Sequence, residues 1–84
     1  MAWKIEFEAG SRKALKKLPL VVQRRIVRAL DELMLDPYGS TNVKALQGRE
    51  GFRLRVGDYR VIYTLENDRL IILVVRIAHR SDAY

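Results

Sequence analysis

The chain has 84 residues, with 16 Lys and Arg against 10 Asp and Glu, a net charge of +6 and no cysteine. That length predicts one domain, residues 1–84, which buries only roughly 60–65% of its unfolded surface and so needs a well-patterned core. The missing cysteines exclude disulfide scaffolds, thiolate zinc sites and cysteine nucleophiles, and 49% hydrophobic residues exclude a disordered tail.

Trp3, Ile5 and Phe7 alternate with Lys4, Glu6 and Glu8, the pattern of a half-buried strand and not of a signal peptide. Gly10 and Ser11 then open a short helix, with Ser11 as the expected N-cap and Ala14, Leu15 and Leu18 facing inward. Pro19 suits the first turn of a second helix, whose Val22, Ile26, Ala29, Leu30 and Leu33 recur at three- and four-residue steps. Pro37 stops that helix near Asp36, and residues 38–51, punctuated by Gly39, Gly48 and Gly51, read as a loop. Phe52–Val56 and Tyr59–Leu65 form a hairpin about Gly57-Asp58, and Asn67-Asp68 turns into a last strand, Leu70–Ala78. The apolar run in that strand is far too short to span a bilayer and implies cover on both faces. The predicted order is β-α-α-β-β-β: an α+β fold with two helices packed on a small, mainly antiparallel sheet.

The hairpin carries the chemistry. A two-residue turn at Gly57-Asp58 opposes Arg55 to Arg60, and Arg53 shares their face. Directly opposed like charges are destabilising, and arginine cannot shed its charge, so the cluster calls for a counter-anion. No acidic residue falls on this face by register, and guanidinium groups bind phosphate in bidentate fashion. An ordinary solvated strand face also alternates in charge, but the opposed pair favours a phosphate site. Extending the register without interruption into the last strand puts Val75, Ile77 and His79 beside the arginines. His79 is the one histidine and belongs to the residue type that exchanges protons near neutrality, which makes it the candidate acid. Tyr84, the last residue, is a candidate stacking or hydrogen-bonding group; a frayed end is its plainer reading.

Two other features are weighed. Arg12, Lys13, Lys16, Lys17, Arg24, Arg25 and Arg28 sit on the helices as solubilising charge or as a contact for nucleic-acid backbone. Ile62, Ile71, Leu73 and Val75 fall on the arginine face, opposite Leu54, Val61, Tyr63, Ile72 and Val74. Two helices cover one sheet face only, so the first set is either a partner-binding stripe or is covered by loop 38–51. No glycine-rich phosphate loop, metal-ligand cluster or Ser-His-Asp set is present, and no cofactor is expected.

Phe52-Arg-Leu-Arg-Val-Gly-Asp-Tyr-Arg-Val-Ile-Tyr63 and Val75-Arg-Ile-Ala-His-Arg-Ser-Asp-Ala-Tyr84 resemble the RelE branch of the RelE/ParE toxin superfamily. So do the opening strand ending Phe7-Glu8, Leu15-Lys-Lys-Leu-Pro19 and Lys44-Ala-Leu-Gln-Gly48, so that the likeness spans essentially the whole chain. The resemblance implies a type II toxin with a microbial-ribonuclease-like fold that cleaves messenger RNA in the ribosomal A site without a metal. Carried over by position, Arg60 contacts the scissile phosphate, with Arg55, Arg80 and Tyr84 in the catalytic set. Arg53, Arg55, Lys44 and Arg49 form the phosphate-binding group. Some relatives have lysines where this chain has Arg53 and Arg55, and the acid role of His79 rests on this sequence alone. Implied partners are a cognate antitoxin, the 70S ribosome and mRNA, in the cytoplasm and away from membranes. The rival class is a ParE-like toxin that inhibits DNA gyrase by protein contact. A catalytically idle RNA-binding module is the third.

Overall fold

The computed structural model describes residues 3–39 and 42–82. Strand β1 spans Lys4–Phe7, helix α1 Ala9–Lys16 and helix α2 Leu20–Leu35. Strands β2 (Val43–Ala45), β3 (Phe52–Val56), β4 (Tyr59–Glu66) and β5 (Ile71–His79) follow. They form one five-stranded sheet in the order β1-β5-β4-β3-β2, with β1 parallel to β5 and every other pair antiparallel. The two-helix, mainly antiparallel α+β architecture is as predicted. Strand β2 is an addition: three residues long, it lies inside the stretch read as loop and pairs with β3.

The helices cover one face of the sheet. Ile26, Leu30 and Leu33 project from α2 onto Leu54, Val56, Val61, Tyr63, Ile72, Val74 and Ile77, and all are buried. The α1–α2 junction is held by the Gln23 side-chain amide, which donates to the Leu18 carbonyl at 2.8 Å. Ser11 is not the N-cap; that position belongs to Glu8, one residue before the helix. Inside the first turn, the buried Ser11 hydroxyl lies 2.8 Å from the Glu8 carbonyl and 2.9 Å from the Val74 carbonyl, pinning α1 to β5.

Tyr63 sits at the centre of this core with no exposed surface, its ring stacked on Phe52 at 5.5 Å between centroids. Its hydroxyl has no hydrogen-bond partner among the described residues, and burial raises its pKa from 10.0 to about 12. A buried polar group without a partner costs on the order of 1–3 kcal/mol, so Tyr63→Phe is expected to stabilise the fold by about 1 kcal/mol in urea unfolding. The pH dependence has a definite sign. The raised folded pKa keeps the phenol neutral, so its contribution is intact below pH 10 and is lost as pH rises toward 12. The difference between wild type and Tyr63→Phe should therefore widen in favour of phenylalanine across that window.

One irregularity decides which residues share a face. At the outer end of the β4–β5 pair, Glu66 opposes Ile71 and Thr64 opposes Leu73, the parity expected from the sequence. Between Ile62 and Tyr63 the register then shifts: Tyr63 pairs with Val74 but Ile62 pairs with Arg76, leaving Val75 as the extra residue. Beyond this bulge every side chain of β5 changes face. Ile77 and His79 turn to the helix side, and Arg76 and Ala78 join the arginines. The predicted placement of His79 beside the arginine cluster is thus corrected.

Candidate nucleic-acid site

Strand β3 and strand β4 set the site. Arg55 pairs directly with Arg60, and Arg53 pairs with Ile62, as the two-residue turn demands. Gly57, at φ +58°, supplies the left-handed conformation of that turn, and a Cβ there would lie 3.0 Å from an Arg25 guanidinium nitrogen. Lys44 of β2 pairs with Arg53 across the other side of β3, so that cations from three strands share this face.

These residues line two adjoining grooves. One, of about 330 Å³, is formed by Asn42, Lys44, Arg53, Arg55 and Arg60. The other, of about 500 Å³, shares Lys44 and Arg53 and adds Leu46, Gln47, Arg49 and Ile62. Among the described residues neither has an acidic lining residue, although the register, against the sequence expectation, puts Glu6 and Glu66 on the same sheet face beyond the grooves. Lys44, Arg49, Arg53, Arg55 and Arg60 are therefore brought together from one continuous stretch of chain, residues 44–60.

Arg60 is the best-held of them. It is half-buried, and its Nη1 donates to the Gly57 carbonyl at 3.2 Å and the Tyr59 carbonyl at 3.0 Å. The intervening carbonyl, of Asp58, accepts the Arg80 backbone N–H at 2.7 Å. Three successive carbonyls of one turn thus hold Arg60 and the start of the C-terminal segment. The Arg80 side chain is exposed, with Nε 3.9 Å from an Asp58 carboxylate oxygen, a loose surface pair that leaves it available to an anion.

His79 is elsewhere. It opposes Tyr59, and their rings meet edge-on at 5.3 Å between centroids, on the face opposite Arg60. The Ser81 N–H and hydroxyl converge on its Nδ1 at 3.3 and 2.9 Å, so this nitrogen accepts and shapes the turn after β5. His79→Asn keeps an acceptor near that position but cannot deliver a proton at neutral pH. On the RNA-cleaving reading that the resemblance implies, this variant is expected to cut within about threefold of wild type, whereas loss of a general acid costs 10²–10⁴-fold. Tyr84 lies outside the described residues.

The apolar stripe is less open than its sequence implies. Ile62 is 7% and Ile71 4% exposed, and only Leu73 and Val75 remain half-buried. The 46–51 loop, closed by the Leu46 N–H on the Gly51 carbonyl at 3.0 Å, brings Leu46 into the groove beside Ile62. The seven helix cations are all exposed, and Arg12 lies over the Phe7 ring at 5.7 Å.

Arg76 is the residue that sequence reasoning missed. It stands on the arginine face because of the bulge. A signal for it existed: unbroken parity would have aimed its guanidinium into the core between Val74 and Ala78, which is prohibitively costly.

A two-helix layer on a five-stranded sheet, with a cationic groove on the uncovered face, is a fold shared with small bacterial and archaeal toxins. Residues 5–84 match the family model described as ParE toxin of type II toxin–antitoxin system. The chain belongs to this family, within the RelE/ParE superfamily of type II toxins. It is similar over its whole length to the toxin RelG of Mycobacterium tuberculosis, 29% identical and covering 98% of that protein. It is also similar to the putative toxin RelE1 of Methanocaldococcus jannaschii, at 30% identity over 100% of this chain and 97% of the relative. In three dimensions it matches the RelE chain of an archaeal RelE–RelB complex from Pyrococcus horikoshii OT3. That match has a TM-score of 0.84 and 30% identity, covering 99% of this chain and 100% of the other.

Proposed function

We propose that this toxin is an endoribonuclease that cuts messenger RNA on the ribosome. The observation that carries the reading is the directly opposed Arg55–Arg60 pair in a groove lined by Arg53 and Lys44 and, among the described residues, by no carboxylate side chain. Such a pair is electrostatically unfavourable alone and favourable around a phosphate, whose developing charge preorganised donors stabilise. Relatives named as RelE-like toxins support the same reading.

The reaction is attack of a ribose 2′-hydroxyl on the adjacent phosphorus. The new P–O2′ bond forms as the P–O5′ bond breaks, leaving a 2′,3′-cyclic phosphate and a 5′-hydroxyl. Arg60, fixed by two carbonyls, and Arg55 bear on the non-bridging oxygens of the pentacoordinate phosphorane. Arg53, Lys44 and Arg49 track the flanking phosphates, and Arg80 approaches from the turn. With His79 on the other face, the proton lost from the 2′-hydroxyl and the one gained by the 5′-oxygen are exchanged with the ribosome, the substrate or solvent. The partner that restrains this activity is an antitoxin, as in the RelE–RelB complex that the fold matches.

Cleavage products from a reconstituted translation reaction test this chemistry. Ends that a kinase can phosphorylate only at the 5′ side, with cyclic phosphate on the 3′ side, are expected. Intact message together with inhibition of supercoiling by purified DNA gyrase would replace this reading with the topoisomerase one.

A further inference from the structure

Arg76 is exposed on the arginine face, yet its side chain has a defined backbone partner. Its Nη2 donates to the backbone carbonyl of Asp82 at 2.7 Å. Three more bonds shape the same short segment. The Asp82 N–H donates to the His79 carbonyl at 2.8 Å, the Ser81 N–H to His79 Nδ1 at 3.3 Å, and the Arg80 N–H to the Asp58 carbonyl at 2.7 Å. The chain beyond β5 is thereby turned back onto the arginine face, next to the cross-strand pair of Arg60 and Ala78.

The Arg80 N–H bond ties the near end of the turn to the hairpin at Asp58, and the Arg76 side chain ties its far end, at Asp82, to the face that carries the groove. A guanidinium suits that task because it has five N–H donors in a fixed fork. One can hold a carbonyl by a charge-assisted bond while the charge still adds to the field of Arg53, Arg55 and Arg60.

We propose that Arg76 is a positioning residue of the RNA site: it clamps residues 80–82 to the arginine face and so holds Arg80 in line with Arg60. The proposal rests on the ribonuclease reading for its catalytic consequence, and on the Arg76–Asp82 bond for its structural one. In geometry-dependent catalysis a displacement of about 1 Å costs up to roughly 10²-fold, which sets the scale of the effect.

The test uses the full chain as wild type, Arg76→Ala, Arg76→Lys and Arg60→Ala. Single-turnover cleavage of message on programmed ribosomes is measured against toxin concentration, alongside amide exchange of residues 80–82 in the free proteins. Arg76→Ala is expected to lower the maximal rate by about 10–100-fold, with the half-saturating concentration changed by less than about threefold. Its Asp82 amide should exchange faster, and Arg76→Lys, which can still donate to the carbonyl, should recover most of the rate and of the protection. An unchanged maximal rate in Arg76→Ala, a loss confined to the half-saturating concentration, or unaltered Asp82 exchange would each overturn the proposal. Failure of the wild-type protein to cut message defeats the ribonuclease reading, a different result from wild-type cutting with an indifferent Arg76→Ala; unaltered Asp82 exchange overturns the clamp in either case.

Discussion

Replacing Arg60 by alanine is expected to lower ribosome-dependent cleavage of message by roughly 10²–10³-fold while leaving the fold intact. The magnitude follows from what the side chain does. Arg60 is preorganised by the Gly57 and Tyr59 carbonyls, so little reorganisation is needed when charge develops on the phosphorane. Removal of its side chain also relieves the like-charge opposition with Arg55, so the variant should unfold at the same urea concentration as wild type or slightly higher. Loss of activity without loss of stability is the signature of a group held for chemistry. Arg60→Lys should recover only a small part of the rate, because an ammonium cannot span two carbonyls and a phosphate with a planar fork. A variant that cuts at the wild-type rate would remove Arg60 from the site.

The second large effect concerns the core that presents this groove. Ile26 has no exposed surface and packs from α2 into the centre of the helix-facing sheet residues. Ile26→Ala is expected to cost about 2–5 kcal/mol, the loss of three buried methyl-sized groups plus the cavity they leave. For a domain of this size that lowers the Tm by on the order of 10–25 °C, a large share of total stability. The groove lies on the opposite face, so cleavage per folded molecule should be unchanged at low temperature. Differential scanning calorimetry and cleavage at 15 °C together separate the two quantities. A Tm within a few degrees of wild type would mean that α2 does not rest on the sheet through this residue.

The contrast between these two variants shows which parts of the protein its sequence discloses. Ile26, Leu30 and Leu33 follow the helical period, and Leu54, Val61 and Tyr63 the period of two, so both sides of the core were legible. Gly57-Asp58 imposes a turn length, and with it the opposition of Arg55 and Arg60. Strand β2 was not legible because Val43-Lys44-Ala45 is too short to display alternation. The bulge at Val75 was hidden for a different reason. Residues 71–75 are apolar without interruption, and a run with no alternation cannot show an inserted residue. Parity read through it sent His79 to the wrong face and overlooked Arg76. The cost of burying Arg76 is what the local pattern could not express and the folded sheet resolves.

These points sharpen the meaning of the net charge of +6. The helix cations are exposed on the covered side of the sheet, while Lys44, Arg49, Arg53, Arg55, Arg60 and Arg76 converge on the other. The opposed arginines suit a bound phosphate, which is what favours the proposed ribonuclease reading over inhibition by protein contact.

The most direct test is induced expression of the wild-type protein and Arg60→Ala, followed by transcriptome-wide mapping of RNA 5′ ends. New 5′-hydroxyl ends in phase with the codons of translated messages, present with wild type and absent with Arg60→Ala, are the expected result. Intact messages with induction of DNA repair by both proteins would contradict it.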